Sequence, residues 1–507
     1  MCLSDGLRHH RQPDVPEREP SLEPHRRFRL PHRSSLFRIH EVANMTNDTI
    51  CALATPVGGA IAIIRISGER SLEILSHVFS NRTFSPSLIP SLPIRSVHYG
   101  NISDNISSKD DIIDEVIVSV FRAPHSYTGE DSAEISCHGS RYVTAKILEL
   151  LIAKGARQAN PGEFTQRAFL NGKMDLSQAE AVADLIASSN RATHKIAMSQ
   201  LRGQFSSELS QLRDKLLHLT SLLELELDFS DHEDLEFADR SKLFELTKEI
   251  DSHITKLAHS FETGQALKQG IPVAIVGKTN VGKSTLLNAL LKDDRAIVSD
   301  IHGTTRDTIE DTIDIQGVTF RFIDTAGIRQ TQDTVEQIGI ERTYAAIDKA
   351  RIVLWLIDAE PSATEVQDMQ NRCADKSLLI VRNKIDLING HELLSEGEKC
   401  SMVNVLRISA KHGLGIEALE AAIYKAADIP TLTDNDVIVT NARHYDALIR
   451  SHACIQRVID GLQMQLSGDL LSEDLRQALD TLAEITGGQI TPNEVLGNIF
   501  KYFCVGK

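Results

Sequence analysis

The sequence predicts a multidomain protein with an α+β N-terminal domain, an all-α helical domain and a doubly wound α/β domain inserted into the helical one. Three observations carry this prediction. The apolar run Pro272-Val273-Ala274-Ile275-Val276 leads through the glycine loop Gly277-Lys278-Thr279-Asn280-Val281-Gly282-Lys283-Ser284 into Thr285-Leu286-Leu287-Asn288-Ala289-Leu290-Leu291, which reads as strand, loop, helix. Strand-like and helix-like segments then alternate to about residue 427, the pattern of a parallel sheet. Between Pro161 and Pro272 there is no proline, and the text is rich in Leu, Ala, Gln, Glu and Lys at helical spacing; helical pattern resumes beyond Pro430.

The chain has 507 residues, too many for one compact core. Its 41% hydrophobic and 24% charged residues describe a globular protein, and no run of apolar residues is long enough for a membrane span, so a cytoplasmic location is expected. The net charge of −16 argues against a chain-wide basic surface, so a nucleic-acid partner would be held by a local patch or jointly with another protein. Seven scattered cysteines with no CxxC pair suggest neither a disulfide framework nor a zinc site; most read as small core residues.

Residues 1–44 repeat Arg, His and Pro without apolar periodicity and read as a disordered extension, with Met45 the expected working start. Residues 45–171 form the predicted α+β domain. Its strands are expected at Thr49 to Ala54, Ala60 to Ile66, Ile112 to Phe121 and Ser132 to Cys137, and its helices at Ser71 to Phe79 and Tyr142 to Lys154. Arg65, Glu130, Glu134 and the loop Asn160 to Phe164 are polar groups that can line a small-molecule pocket, although each alone reads equally as a surface charge or turn residue.

Residues 172–265 form the first part of the helical domain. Leu176, Ala179, Val182, Ala183 and Ile186 mark one apolar face, and Leu201, Phe205, Leu209, Leu212, Leu216, Leu219 and Leu223 another; bundle core is the expected role, with dimer packing through part of a stripe the sharper alternative. The acidic group Asp228, Asp231, Glu233, Asp234 and Glu236 reads as a solvated loop. The inserted domain spans 266–427, with strands near 272–276, 311–315, 318–323, 352–358, 377–382 and 403–408. Residues 428–507 complete the helical domain, with helices at Ala442 to Gln465, Leu470 to Thr486 and Asn493 to Phe503.

The glycine loop is a phosphate cradle: Gly277 and Gly282 let backbone amides point at phosphate oxygens, Lys283 adds a charge, and Ser284 can hold Mg²⁺. Four further segments follow in the order a guanine-nucleotide switch needs. Thr304 and Thr305 can supply a hydroxyl to the metal while γ-phosphate is present, an ordering switch. Asp324-Thr325-Ala326-Gly327 follows a strand, where the acid can reach Mg²⁺ through water and Gly327 can present its amide to the γ-phosphate. Asn383-Lys384-Ile385-Asp386 offers in Asp386 an acceptor for the ring NH and 2-amino donors of guanine, which adenine does not present. Ser409-Ala410-Lys411 offers an amide for the guanine oxygen. Such a site rejects adenine because its own polar atoms would go unpaired, so GTP is the expected nucleotide. Ile328 stands where many switch GTPases carry a water-orienting glutamine; Arg306, Asp307, Arg329 and Glu336 are the candidates to replace it.

These segments, with Ile64-Arg65-Ile66-Ser67-Gly68, Pro161-Gly162-Glu163-Phe164-Thr165, Arg167-Ala168-Phe169-Leu170-Asn171-Gly172-Lys173, Gln178 to Ile186, Gly303-Thr304-Thr305-Arg306-Asp307 and the terminal Cys504-Val505-Gly506-Lys507, resemble the MnmE (TrmE) family of tRNA modification GTPases over about residues 48–507. The resemblance implies a folate-binding N-terminal domain that also forms the homodimer. It also implies a one-carbon unit from a tetrahydrofolate derivative, used with an FAD-dependent MnmG-like partner to build an aminomethyl-type group on the wobble uridine of certain tRNAs. Carried over by position, the GTP contacts are Gly277, Asn280, Val281, Gly282, Lys283, Ser284, Thr285, Asp324 to Gly327, Asn383, Lys384, Asp386 and Ser409 to Lys411. Ser284 and Thr305 would hold Mg²⁺. Asn280, with Ser299, Ile301 and Thr304, would hold a K⁺ that stands in for an arginine finger once two G domains meet. The resemblance assigns catalytic roles to Asn280, Lys283, Glu336, which would position the attacking water, and Cys504, and folate contacts to Arg65, Glu134, Lys173 and Lys507. Two features depart from the family: the turn Thr55 to Ala60 is short, and the extension has no counterpart. The rivals are a regulatory GTPase of ribosome assembly without modification chemistry, which would want a basic appendage, and a one-carbon transferase with a purely regulatory G domain.

Overall fold

The computed structural model describes residues 48–83, 85–104, 111–228, 240–291, 311–323, 344–387, 405–429, 436–488, 499–500, 503 and 506, without the side chains of 225–228. Among the described residues, no helix is long and apolar enough to cross a membrane.

The N-terminal sheet has seven strands: β1 (Ile50–Leu53), β2 (Ile61–Ser67), β3 (Phe79–Ser80), β4 (Ser96–Ser103), β5 (Ile112–Phe121), β6 (Ser132–His138) and β7 (Arg157–Gln158), in the order β3-β4-β5-β6-β2-β1-β7. All neighbours are antiparallel except β1 and β7. Alternation sorts its residues: Ile64, Ile66, Val116, Val118, Val120 and Ile135 face a core closed by α1 (Ser71–Ser76) and α2 (Arg141–Ala153). On the other face, β2 and β6 pair in a register that sets Arg65 directly opposite Glu134. The helix expected to run to Phe79 ends at Ser76, because Phe79 turns into an edge strand. Sequence reading missed β4, where Gly100 and two polar residues break the apolar alternation.

Three helices follow: α3 (Glu163–Leu170), α4 (Leu176–Ala187) and α5 (Arg191–Leu201). Both α4 and α5 begin with capping boxes, on Asp175 with Gln178 and on Asn190 with Thr193, which satisfy amides the first turn would leave open. The stripe proposed on α4 needs correction: Leu176 and Ala179 are buried, Val182 and Ala183 are half-buried, and Ile186 is 43% exposed. The longer stripe is core from Phe205 onward; its first member, Leu201 at the end of α5, is half-buried. Phe205, Leu209, Leu212, Leu216, Leu219 and Leu223 of α6 (Gln204–Asp228) are buried with Leu243, Ile250 and Ile254 of α7 (Arg240–Gln269). Into the same core come Ile455 and Val458 of α11 (Ala442–Gln463) and Leu475 and Ile485 of α12 (Gly468–Thr486), so helices before and after the α/β sheet share one interior. The acidic group at 228–236, its side chains included, lies outside the described residues.

The α/β sheet is β8 (Ile271–Val276), β9 (Asp311–Ile315), β10 (Val318–Phe322), β11 (Ile352–Ile357), β12 (Ser377–Arg382) and β13 (Val405–Arg407), ordered β13-β12-β11-β8-β10-β9. Only β9 runs antiparallel. Along β8, Val273 and Ile275 enter one core with α8 (Lys283–Leu291) and α10 (Ile416–Ala426), while Ala274 and Val276 enter a second on the opposite face, against which Met369 of α9 (Ala363–Arg372) packs. This doubly covered sheet is the predicted doubly wound fold. The chain leaves β8 for β10 on one side and later returns to β11 on the other, so the connections diverge at the carboxyl end of β8 and open a ligand crevice there.

Candidate functional site

The glycine loop sits in that crevice. A side chain at Gly277 would set its Cβ 2.3 Å from the Leu356 carbonyl oxygen, and one at Gly282 would lie 2.3 Å from Asn383 Nδ2, so the loop approaches both neighbours as only glycine can. Lys283 opens α8. Its Nζ donates to the carbonyls of Gly277 (2.7 Å) and Lys278 (2.9 Å), and burial lowers its pKa. A cation folded onto its own loop, with carbonyls as its partners, is placed to exchange them for phosphate oxygens. Ser284 follows on the first turn, half-buried, where a hydroxyl fits a hard cation such as Mg²⁺; Thr285 is exposed. Asn280 is exposed and left-handed (φ 60°). Val281 is buried.

The base-recognition segments converge from the carboxyl ends of β12 and β13. Asn383 is 3% exposed; its Nδ2 donates to the Val281 carbonyl (2.9 Å), and its Oδ1 accepts from the Ala410 amide (3.0 Å). One side chain therefore joins the phosphate loop to the 409–411 loop, a bracing role sequence reading did not assign. Asp386 Oδ1 accepts from Ser409 Oγ at 2.6 Å, and its other oxygen lies 3.7 Å from His412 Nε2. The Ser409 hydroxyl, against a smaller opposing effect of burial, holds the Asp386 carboxyl below the usual carboxylate range. An ionised carboxylate is acceptor-only, as two guanine donors require. Lys384, also left-handed (φ 63°), pairs with Asp358 at 3.2 Å. Lys411 is exposed. Ser299, Ile301, Thr304, Thr305, Arg306, Asp307, Asp324 to Gly327, Ile328, Arg329 and Glu336 lie outside the described residues.

A second site lies on the N-terminal sheet, in a cleft lined by Arg65, Phe121, Tyr127, Thr128, Ser132 and Glu134. Arg65 donates to Glu134 Oε1 from Nε (3.0 Å) and Nη2 (2.6 Å), and its guanidinium lies 5.2 Å from the Tyr127 ring centre and 5.6 Å from that of Phe164. Its Nη1 also donates to the Gly506 carbonyl (3.3 Å), which brings Gly506 to the cleft. Arg65 and Glu134, named separately in the sequence as candidate pocket residues, are thus brought together as a pair. Lys173 is exposed and donates to the Pro124 carbonyl at 2.8 Å, outside the lining. A planar group with its own donors and acceptors fits a cleft that offers an aromatic face beside a fixed cation and carboxylate. Sequence reading did not name Tyr127 or Thr128 as lining residues; the Tyr127-Thr128-Gly129 turn between β5 and β6 was the available signal. Cys504 and Lys507 lie outside the described residues; Cys51, Cys137, Cys373 and Cys454 are buried free thiols.

Comparison with known proteins agrees with this arrangement. Residues 49–173 match the family model described as GTP-binding protein TrmE N-terminus, and residues 176–504 match that of the MnmE helical domain. The chain is 53% identical over 501 residues to the tRNA modification GTPase MnmE of Phocaeicola vulgatus, covering 91% of this chain and 99% of that one. It is 53% identical over 474 residues to the protein of the same name from Bacteroides thetaiotaomicron, covering 91% and 100%, and 50% identical over 479 residues to that of Christiangramia forsetii, covering 91% and 99%. Among solved structures, it is similar to the G domain of the T. maritima FeoB iron transporter, at 25% identity over 31% of this chain and 99% of that one, with a TM-score of 0.23. Two family models side by side and relatives matched nearly end to end at about half identity place the phosphate loop and the Arg65 cleft in one lineage: the chain belongs to the MnmE family of tRNA modification GTPases.

Proposed function

We propose that the protein hydrolyses GTP in its α/β domain and uses that cycle, with an FAD-dependent MnmG-like partner, to install an aminomethyl-type group on C5 of the wobble uridine of certain tRNAs. The one-carbon unit comes from a tetrahydrofolate derivative. The observation that carries the nucleotide half is Asn383 joining the phosphate loop to the 409–411 loop beside an ionised Asp386, because this makes base recognition and phosphate binding one unit. Lys283 exchanges the carbonyls of Gly277 and Lys278 for phosphate oxygens. Ser284 with Thr305 would hold Mg²⁺, which supplies charge neutralisation at the phosphates. Asn280 with Ser299, Ile301 and Thr304 would hold K⁺, which supplies the positive charge that other GTPases take from an arginine. Glu336 orients the attacking water in the place of the glutamine that Ile328 does not provide. Assembly is as a homodimer whose G domains meet during turnover.

The Arg65–Glu134 pair supports the one-carbon half. Its fixed donors and acceptor beside the Tyr127 ring suit a pterin edge and face, with Lys173 and Lys507 as further folate contacts and Cys504 serving the modification chemistry. The domain boundaries that go with this reading are 45–171, 172–265, 266–427 and 428–507. A chain of net charge −16 binds tRNA mainly with its partner's help. The test is GTP turnover in K⁺ and in Na⁺ for the wild type and Asn280→Ala. K⁺ accelerates the wild type and not the variant; equal rates throughout contradict the proposal.

A further inference from the structure

The wall of the Arg65 cleft that carries Tyr127 and Thr128 is held from behind by a line of polar groups that ends on a buried arginine. Arg167 of α3 has a side chain only 5% exposed. Its Nη1 donates to the Asp48 carbonyl (2.9 Å) and to Glu130 (3.3 and 3.4 Å), and its Nη2 to Asp48 Oδ1 (2.6 Å) and Glu163 Oε1 (3.0 Å). Glu130 in turn accepts from Ser67 Oγ at 2.8 Å, and Ser67 shares a hydrogen bond with Thr128 Oγ1 at 2.7 Å. Thr128 lines the cleft. The same turn is tied at its backbone by Asn171 Nδ2, which donates to the Thr128 carbonyl (2.7 Å), and by Ser126 Oγ, which donates to that of Glu130 (2.6 Å).

The three carboxylates around Arg167 are not equivalent. Asp48 and Glu163 each have a second arginine, Arg157, at 2.6 Å. Among the described ion pairs, Glu130 has Arg167 alone. Loss of the guanidinium fork therefore leaves Asp48 and Glu163 paired with Arg157 but removes the ion pair of Glu130, which is then held among the described side chains by Ser67, the residue that bonds Thr128. The cost falls on the side of the network that faces the cleft.

We propose that Arg167 is a positioning residue for the one-carbon site: through Glu130 and Ser67 it fixes the Tyr127-Thr128 turn, so the cleft's affinity for its ligand depends on a side chain that does not touch the ligand. The proposal rests on the reading of the cleft as a tetrahydrofolate site. Arg167→Lys keeps the charge and loses the fork that serves Asp48, Glu130 and Glu163 together. Glu130→Gln removes the charge at nearly unchanged shape. Glu180→Gln serves as the comparison, because it breaks a buried ion pair with His444 and Arg443 in the helical domain and touches none of the cleft's lining residues.

The experiment measures the affinity of the full-length chain for 5-formyltetrahydrofolate by calorimetry, with guanine-nucleotide affinity and thermal unfolding recorded on the same samples. Arg167→Lys and Glu130→Gln raise the folate Kd by about tenfold or more, the scale of effect seen when the support behind a contact residue is removed, and leave guanine-nucleotide affinity unchanged. Glu180→Gln lowers the unfolding temperature and leaves the folate Kd unchanged. Wild-type folate affinity in both Arg167→Lys and Glu130→Gln overturns the proposal, as does a loss that tracks unfolding temperature across all three variants. A wild-type chain that binds no tetrahydrofolate overturns the one-carbon reading itself, an outcome distinct from either.

Discussion

We take Asp386 as the group that reads the base. With Ser409 donating to one oxygen and holding its carboxyl below the usual carboxylate range, it would present acceptors only, to a base edge that presents donors only. Asp386→Asn replaces one acceptor by an amide donor, which faces the 2-amino group of guanine but suits the 2-oxo group of xanthine. Charge-assisted hydrogen bonds contribute roughly 1.5–3 kcal/mol each, so the variant loses at least about a hundredfold in GTP affinity and prefers xanthosine triphosphate. Competition binding with the two nucleotides checks this; an unchanged preference for GTP would exclude Asp386 as the base-reading group. Lys283, Asn383 and Asp386 could be singled out in the sequence because they stand at short local spacings after a strand, and the structure brings their loops to one crevice. The brace made by Asn383 was not legible there, since it reaches Val281 across 102 positions, and neither was the Arg65–Glu134 pair, set by strand register across 69.

Among the elements, α4 and α11 are joined by charge rather than by apolar packing alone. Glu180 of α4, 9% exposed, meets His444 Nε2 of α11 at 2.6 Å and receives Arg443 through Nε and Nη2 at 2.9 Å each. Burial by itself pushes the Glu180 carboxyl up, and His444 and Arg443 overcome that and bring it down to about 2, against 4.5 for a free side chain. A lowered folded-state pKa stabilises above the unfolded value and stops doing so as pH falls through the folded one, so the contribution is full above about pH 4.5 and fades toward pH 2. By linkage it is on the order of 3 kcal/mol. Glu180→Gln is expected to be less stable than wild type at pH 7, with the gap narrowing as pH falls from 4.5 toward 2. Denaturant midpoints measured across that range check it, and a gap independent of pH would contradict it. Helical periodicity located both helices yet could not show this pairing, because Glu180 sits among apolar neighbours where the pattern reads only as a face. The same blindness explains Ile186, which continues the stripe in sequence but projects beyond the packed part of α4.

For the whole molecule, the order of segments along the chain and their order in space differ in ways the sequence only half disclosed. That helical text resumes after the α/β segment was legible; that α11 and α12 complete the core begun by α6 and α7 follows from packing. Contacts also run from the helices to the nucleotide sheet. The Ala192 amide donates to the Gly317 carbonyl and Asn190 Nδ2 to Thr319 Oγ1, which fasten α5 to the β9–β10 hairpin between the two threonine and Asp-Thr-Ala-Gly segments. At the other end, Phe500 packs with Leu176 and Ala179, and the Gly506 carbonyl accepts from Arg65, so Gly506 meets the first sheet. One molecule thus holds the phosphate-loop crevice, a helical body fastened to it, and a cleft that Gly506 touches. The claim that these parts serve one reaction is tested most directly in a cell lacking this chain, by nucleoside analysis of its tRNA. The wobble-uridine modification is lost on deletion, restored by the wild-type chain, and not restored by Lys283→Ala, which removes the phosphate-loop cation; unchanged modified nucleosides in the deletion strain would contradict the account.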